Sequence, residues 1–130
     1  MNLQVGVKIL LRNEKGEYLL LERSKEKYPE VGTQWDIPGG RIDIGVSLLE
    51  NLKREVMEET GLELEGEPEF ISAQDILKED KHVVRLTYIG KAQGEIKLSD
   101  EHDEYTWVAL DDIKNLGGVD LYVKEALKLV

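Results

Sequence analysis

The sequence predicts an α/β domain of the α+β kind, with β-strands and helices packed around one apolar core. Three observations predict this fold class: an N-terminal strand with alternating apolar residues, a well-delimited central helix, and further strands before a C-terminal amphipathic helix. The 130 residues are close to the commonest size of one domain, and a hydrophobic content of 41% can fill a core. We therefore expect residues 1–130 to form a single domain.

The first two strands are predicted from apolar patterning. Leu3 to Leu11 has apolar side chains at every odd position, and a turn at Asn13 to Gly16 leads into a buried strand from Tyr18 to Glu22. Ser24 to Gly32 reads as a polar loop. Trp35 to Gly45 is predicted to be an ordered loop, because it contains one proline and three glycines and has no helical period.

The central helix is predicted to run from Ser47 to Thr60. Ser47 followed by Glu50 forms a capping-box start, and Gly61 supplies a left-handed stop. Three more strands and a second helix are predicted after it. Their ranges are Glu69 to Ala73, His82 to Lys91, Tyr105 to Leu110 and, for the amphipathic helix, Leu121 to Leu129.

The central helix carries three carboxylates on one side. Glu55, Glu58 and Glu59 fall within an arc of about 100° and repel each other unless a cation neutralises them. Oxygen ligands of this kind suit Mg²⁺ or Mn²⁺. Glu59 also projects onto the edge of the apolar stripe, where a carboxylate is costly to desolvate without a partner. The competing interpretation is an acidic helix face that only provides solubility.

These residues resemble the signature of the Nudix hydrolases. The resemblance rests on Gly40, Arg54-Glu55-Val56, Glu58-Glu59 and Gly61-Leu62 at the spacing of that signature. Every fixed position matches except the first glutamate, where this chain has Val46. A domain of the size usual in this family would span essentially all 130 residues.

The resemblance implies a loop-helix-loop that holds a divalent metal over a pyrophosphate, on a mixed sheet flanked by helices. It implies Mg²⁺ or Mn²⁺ as the cofactor, with Glu55, Glu58, Glu59 and the main-chain oxygen of Gly40 as ligands. It also implies that Arg54 orients Glu55 or a neighbouring carboxylate through an ion pair and does not touch the substrate.

Val46 raises a specific question about the metal site. The glutamate that the family has there is generally regarded as supporting the site more than performing the chemical step, so its loss puts metal affinity in doubt. Asp43 or Glu50 is close enough in sequence to be the partner of Arg54. The alternative to an enzyme is a catalytically silent Nudix module that binds nucleotides.

A second acidic cluster, residues 99–104, precedes the strand at Tyr105. Nudix enzymes often have an acidic residue in this part of the chain that helps to hold metal or acts as general base, and Glu101 and Glu104 are the candidates. Glu104 is our choice as the catalytic group. A solvated acidic turn is the competing interpretation, and His102 is expected to be merely exposed.

Positively charged side chains are needed to bind substrate phosphates. Arg23 is the preferred contact, because it ends a strand predicted to open towards the site and a guanidinium suits phosphate oxygens. Arg41 is the second candidate. Trp35 is as well explained by core packing as by stacking on a base.

The resemblance implies cleavage of a pyrophosphate bond in a small nucleotide substrate. Two residues typical of family members with other substrates are absent, since Leu77 stands where ADP-ribose hydrolases have proline and Glu79 where many diadenosine polyphosphate hydrolases have tyrosine. We therefore expect a nucleoside triphosphate pyrophosphohydrolase, with oxidised nucleotides among its candidate substrates. ADP-ribose, nucleotide sugars and diadenosine polyphosphates remain alternatives.

Composition excludes several other classes of function. A net charge of −10 disfavours binding to polymeric nucleic acid, and from the apolar patterning we expect neither a transmembrane span nor a signal peptide. The absence of cysteine excludes disulfides and cysteine-ligated zinc and is compatible with a cytoplasmic location. We expect a monomer or a homodimer.

Overall fold

The computed structural model describes residues 1–29 and 34–130. This part of the chain contains seven strands and three helices. Their bounds are β1 Asn2–Leu11, β2 Glu17–Arg23, β3 Trp35–Asp36, β4 Gly39–Arg41, α1 Leu48–Thr60, β5 Glu63–Leu77, β6 Lys81–Gln93, β7 His102–Ala109, α2 Leu110–Ile113 and α3 Leu121–Leu127.

The strands form two sheets. The larger has the order β4-β1-β6-β5 and is mixed, because β1 runs parallel to β6 while the other two pairings are antiparallel. The smaller has the order β3-β2-β7 and is antiparallel. Parallel pairing of β1 with the distant β6 brings the start and the second half of the chain together.

Two apolar clusters hold the helices on the sheets. In the first, Leu52 and Val56 of α1 pack with alternate residues of β1 and β2, including Val7 and Ile9. In the second, residues of α2 and α3 pack with Leu10, Tyr18, Leu20 and Ile37. The predicted mixed sheet flanked by helices is confirmed.

The structure extends several predicted elements. The strand predicted at Glu69 to Ala73 belongs to β5, which is much longer because it forms a hairpin with β6. The predicted loop from Trp35 to Gly45 contains β3 and β4, whose two and three residues are too few to show a period in sequence. The short helix α2 was not predicted. Part of the predicted loop from Ser24 to Gly32 lies outside the described residues.

The central helix agrees with its predicted signals. Ser47 is the N-cap and its hydroxyl accepts a hydrogen bond from the Glu50 amide at 3.2 Å, and Gly61 ends the helix in the left-handed conformation. The C-terminal helix ends at Leu127, two residues earlier than predicted. Within the described residues, no helix is both long and apolar enough to cross a membrane.

Candidate active site

One acidic side chain of α1 points into the interior of the protein. Glu59 is only 4% exposed, on the same face as Leu52 and Val56. The predicted projection of Glu59 onto the apolar stripe is therefore confirmed. A carboxylate in this position needs a hydrogen-bond donor or a cation, because burial without either costs several kcal/mol, roughly 2–7 for a polar group alone.

Two glycines let the carboxylates of α1 approach the backbone of β4. The Gly39 amide donates a hydrogen bond to Glu59 Oε2 at 3.1 Å. Gly39 has a φ of +140°, and a Cβ there would lie 2.0 Å from the Val7 carbonyl oxygen. A Cβ on Gly40 would lie 2.8 Å from the Glu55 carboxyl group. Glycine is therefore required at both positions for this arrangement of carboxylates.

The carboxyl groups of Glu55 and Glu59 are only partly compensated by neighbouring positive charges. Burial raises the pKa of Glu59 to about 8, against the opposing effects of Lys8 and the Gly39 amide. Burial, and then repulsion from Glu58, raises the pKa of Glu55. Such shifts are expected where carboxylates are removed from water beside one another and neighbouring cations compensate them only in part.

The opposite side of the site is a network of charges centred on Asp36, which is buried. Asp36 Oδ2 accepts hydrogen bonds from Lys8 Nζ at 3.1 Å and Arg23 Nη2 at 2.7 Å, and Oδ1 lies 3.4 Å from Arg85 Nη2. Although burial opposes ionisation, Lys8, Arg85 and Arg23 together hold the pKa of Asp36 below its usual range. Asp120 adds a second carboxylate, 3.3 Å from Arg85 and 3.6 Å from Arg23.

The acidic and cationic sides face a common cavity of about 420 Å³, a size suited to a small ligand. Residues from β1, β2, β3, β4, α1 and the start of β7 line it. They are Lys8, Arg23, Tyr28, Asp36, Gly39, Gly40, Arg41, Glu55, Glu59, Glu101 and His102.

His102 differs from its expected role as an exposed loop residue. It begins β7, is paired with Arg23 of β2, and lines the cavity. Burial, followed by the nearby cations Lys8 and Arg23, lowers the pKa of His102 to about 4. Its Nδ1 atom is buried and has no hydrogen-bond partner among the described residues. At neutral pH His102 therefore presents an uncharged imidazole to the cavity.

Arg54 lies behind the acidic residues and contacts them by ion pairs. Its guanidinium binds Asp43, and it lies 3.2 Å from Glu55 and 3.8 Å from Glu58. Of the two partners suggested by sequence, Asp43 and Glu50, the structure shows Asp43. Glu58 is mostly exposed on the outside of α1 and is not part of the cavity lining.

The remaining predicted residues divide between the cavity and the surface. Arg23 and Arg41 both line the cavity. Of the two acidic candidates near β7, Glu101 lines it, whereas Glu104 is exposed, is paired with Glu22 across β2 and β7, and lies outside the lining. Glu22 and Arg23 are consecutive in β2 and project to opposite faces, and a register shift between them separates the pair formed by Glu22 and Glu104 from the pair formed by Arg23 and His102.

Within residues 1–29 and 34–130, no group of three or more aspartate, glutamate, histidine or cysteine side chains lies close enough together to form a complete metal site. Glu55 and Glu59 are nevertheless oxygen donors of the kind that hard divalent cations prefer. Glu55 and Glu59 both have a raised pKa, and they share a cavity with Glu101. The donor chemistry therefore fits a divalent cation.

A family model of the NUDIX domain matches residues 2–128. The chain belongs to the Nudix family. It is a hydrolase of the Nudix pyrophosphohydrolase class, which acts on pyrophosphate bonds of nucleoside diphosphate-linked substrates.

Similar proteins support this assignment. The nucleoside triphosphatase NudI of Escherichia coli O17:K52:H18 (strain UMN026 / ExPEC) is 31% identical over 115 residues, covering 80% of each protein. An asymmetrical bis(5'-nucleosyl)-tetraphosphatase of Rattus norvegicus is 32% identical over 105 residues, covering 74% of this chain and 66% of the rat protein. The structure of a MutT protein from Methanosarcina mazei Go1 has a TM-score of 0.83 at 34% identity, covering 98% of this chain and 91% of that one.

Lys8, Asp36 and Arg85 were not recognised as site residues from sequence. Lys8 and Arg85 have a detectable signal, because each is a charged residue between two apolar neighbours, at Val7-Lys8-Ile9 and Val84-Arg85-Leu86. A long charged residue in such a run is expected to be paired. Asp36 had no comparable signal, since it stands in a segment that sequence assigns to a loop.

Proposed function

We propose that the chain hydrolyses a nucleoside triphosphate to a nucleoside monophosphate and pyrophosphate, with Mg²⁺ or Mn²⁺ as cofactor. The observation that carries this proposal is the division of one cavity between Glu55 and Glu59 on one side and Lys8 and Arg23 on the other. A triphosphate with a bound cation presents both charges and so is complementary to both sides.

The proposed metal ligands are Glu55, Glu58 and Glu59, together with the main-chain oxygen of Gly40. The close approach of Glu55 to Gly40 and the raised pKa values of Glu55 and Glu59 support a cation at this point. Glu58, which contacts Arg54 outside the cavity, has the weakest structural support of the three. When bound, the metal supplies charge neutralisation, polarises a phosphoryl oxygen and lowers the pKa of an attacking water.

The other side chains have proposed roles in binding and positioning. Arg23 binds a phosphate group of the substrate, and Arg41 is positioned at the cavity for a second contact. Arg54 orients Glu55 through their contact at 3.2 Å. Glu101 is a better placed candidate than Glu104 for accepting a proton from water, because it lines the cavity.

The choice of substrate rests on the relatives. NudI is named a nucleoside triphosphatase, and the sequence lacks the proline and tyrosine associated with two other substrate classes. The similarity to the rat enzyme makes a bis(5'-nucleosyl) tetraphosphate the second candidate. The cytoplasmic location and the monomeric or homodimeric state stay predictions from sequence.

A substrate panel tests the proposal. Nucleoside triphosphates, oxidised nucleotides, diadenosine polyphosphates, ADP-ribose and nucleotide sugars are each incubated with Mg²⁺, with Mn²⁺ or with chelator, and all phosphorylated products are quantified. We expect metal-dependent release of nucleoside monophosphate and pyrophosphate from triphosphates. Preference for a diadenosine polyphosphate would select the second candidate, and full activity in chelator would contradict the metal site.

A further inference from the structure

Lys8 has an unusual position for a lysine. It lies in β1 between Val7 and Ile9, which are fully buried, and its own side chain is 19% exposed. The ammonium group donates one hydrogen bond to Asp36 Oδ2 and one to the Ile37 carbonyl oxygen, both at 3.1 Å. A lysine ammonium has three N–H donors, so with these partners among the described residues one donor is left for a ligand in the cavity that Lys8 lines.

Asp36 fixes two cations with a single oxygen. Its Oδ2 atom binds both Lys8 Nζ and Arg23 Nη2, so the ammonium and guanidinium groups are held next to each other at the cavity. Lysine and arginine side chains lose considerable rotamer freedom when they are ordered. Because Asp36 orders them in the folded protein, a ligand does not have to do so on binding.

The second carboxylate oxygen of Asp36 has partners of its own, which fix the orientation of the side chain. Its Oδ1 atom accepts a hydrogen bond from the Ile37 amide at 2.8 Å and lies 3.4 Å from Arg85. Arg85 also contacts Asp120, which caps α3 by accepting hydrogen bonds from the amides of Tyr122 and Val123. The position of the two cations is therefore connected through buried contacts to the C-terminal helix.

The charges of this network do not balance. It contains three cations, Lys8, Arg23 and Arg85, and two carboxylates, Asp36 and Asp120. One positive charge is left over in a protein whose net charge is −10. Lys8 and Arg23 are the members of this network that line the cavity, so an anionic ligand can interact with the unpaired positive charge there.

We propose that Lys8 binds a phosphate group of the substrate beside Arg23, and that Asp36 is the positioning residue that holds both cations. This inference rests on the proposed function for the identity of the substrate. Its physical content, a site for a phosphate oxyanion at Lys8, can be tested without turnover.

The first experiment measures binding of inorganic pyrophosphate in the presence of Mg²⁺ by titration calorimetry. Lys8→Met is compared with Lys8→Arg, which keeps the charge, and with Lys15→Met, which removes an equal charge from an exposed turn. We expect Lys8→Met to weaken pyrophosphate binding about tenfold or more, as expected for a lost hydrogen bond to a charged group, with Lys15→Met unchanged and Lys8→Arg intermediate. Equal binding by Lys8→Met and Lys15→Met, or no binding by the unaltered protein, would overturn the proposal.

Turnover separates this inference from the proposed function. If triphosphates are hydrolysed, Lys8→Met should raise KM about tenfold or more with a smaller change in kcat. Normal turnover with an unchanged KM would leave the proposed function standing and overturn the role of Lys8. If no nucleotide is hydrolysed but Lys8→Met still loses pyrophosphate, the proposed function fails and the phosphate site remains.

A double-mutant cycle tests the positioning role of Asp36. Asp36→Asn should weaken pyrophosphate binding, and Lys8→Met should then cost less in the Asp36→Asn background than in the unaltered protein. If Asp36→Asn does not fold, Asp36→Glu takes its place, because it keeps the charge and displaces the carboxylate. Multiplicative effects of the two substitutions on pyrophosphate binding would show that Asp36 does not act through Lys8.

Discussion

The two sides of the cavity differ in how far their charges are compensated by neighbouring residues. On the acidic side, Glu59 is buried and Glu55 is half-buried, and burial raises the pKa of both carboxyl groups more than the neighbouring cations lower it. On the cationic side, Lys8 and Arg23 are already paired with Asp36, whose pKa is lowered. The cationic side is therefore compensated by ion pairs within the protein, whereas the carboxylates of the acidic side are compensated only in part.

The largest expected effect comes from neutralising the acidic side. Glu59→Gln keeps the shape of the side chain but removes the negative charge, so we expect turnover to fall by about 10²–10³-fold, as for other pre-organised charged groups. Folding should be retained, because Glu59 with its raised pKa is already largely protonated at neutral pH without metal. The measurements are kcat and thermal unfolding of the metal-free protein.

Glu50→Gln is the matched control for this substitution. Glu50 lies in the first turn of the same helix, is exposed, and is absent from the cavity lining. The turnover of the Glu50→Gln variant should match that of the unaltered protein. If Glu59→Gln remains as active as Glu50→Gln, the acidic side does not hold the catalytic cation.

Substitution of Arg85, which supports the cationic side from outside the cavity, should act mainly on stability. Arg85 is 5% exposed and lies between Asp36 and Asp120, outside the cavity lining. Arg85→Met leaves two buried carboxylates with one cation fewer, and we expect the free energy of unfolding to fall by about 3 kcal/mol. Denaturant unfolding measures this loss, with Arg12→Met at an exposed position as control. A loss below about 1 kcal/mol, the size typical of a surface ion pair, would mean that the network is not tightly coupled.

Glu59 and His102 should contribute to the pH dependence of stability with opposite signs. In metal-free protein the folded pKa of Glu59 is raised from 4.5 to about 8, so the folded state binds more protons in this range and stability falls as pH rises through it. The folded pKa of His102 is lowered from 6.5 to about 4, so the unfolded state binds more protons and stability falls as pH drops through that range.

Two substitutions separate these slopes. Glu59→Gln should flatten the decline between pH 4.5 and 8, and His102→Gln should flatten the decline between pH 6.5 and 4. Denaturant unfolding in chelator across this range measures both. A Glu59→Gln protein that keeps the slope of the unaltered protein would show that another group accounts for the decline on the alkaline side.

The same contrast explains what could be predicted from sequence. The acidic residues lie within one helix, so the helical period alone placed Glu59 on the buried face, and the capping signals gave the ends of α1. The cationic network joins Lys8, Arg23, Asp36, Arg85 and Asp120 from separate parts of the chain. Their contacts depend on the parallel pairing of β1 with β6 and on the position of β3 beside β2, and neither is encoded in local patterns.

The position of the candidate general base also depends on contacts between distant parts of the chain. Glu101 and Glu104 are equivalent as residue types in an acidic stretch, and the choice between them depends on where β7 begins. The strand starts at His102, earlier than the predicted Tyr105, which places Glu101 at the cavity and gives Glu104 a position within the strand. Strand ends are set by pairing with β2, which the sequence of β7 alone does not specify.

The smallest expected effect concerns the support of the acidic side at Val46. Arg54 is paired with Asp43, and Asn51 connects the same turn because its side chain accepts from the Asp43 amide and donates to the Val46 carbonyl. Both charged side chains are substantially exposed, so Asp43→Asn should change stability by about 1 kcal/mol or less. Turnover should fall about tenfold, because the orientation of Glu55 by Arg54 is weakened.

Val46→Glu tests whether Asp43 has taken over the function of the missing glutamate. Val46 is 37% exposed, so a carboxylate can be placed there without burying it. In the Asp43→Asn background, Val46→Glu should recover most of the lost turnover by giving Arg54 a new partner, whereas Val46→Gln, which is the uncharged control, should not. Equal turnover of the two double variants would mean that Arg54 does not need a carboxylate in this loop. The contact of Arg54 with Glu55 would then be sufficient to orient the acidic side by itself.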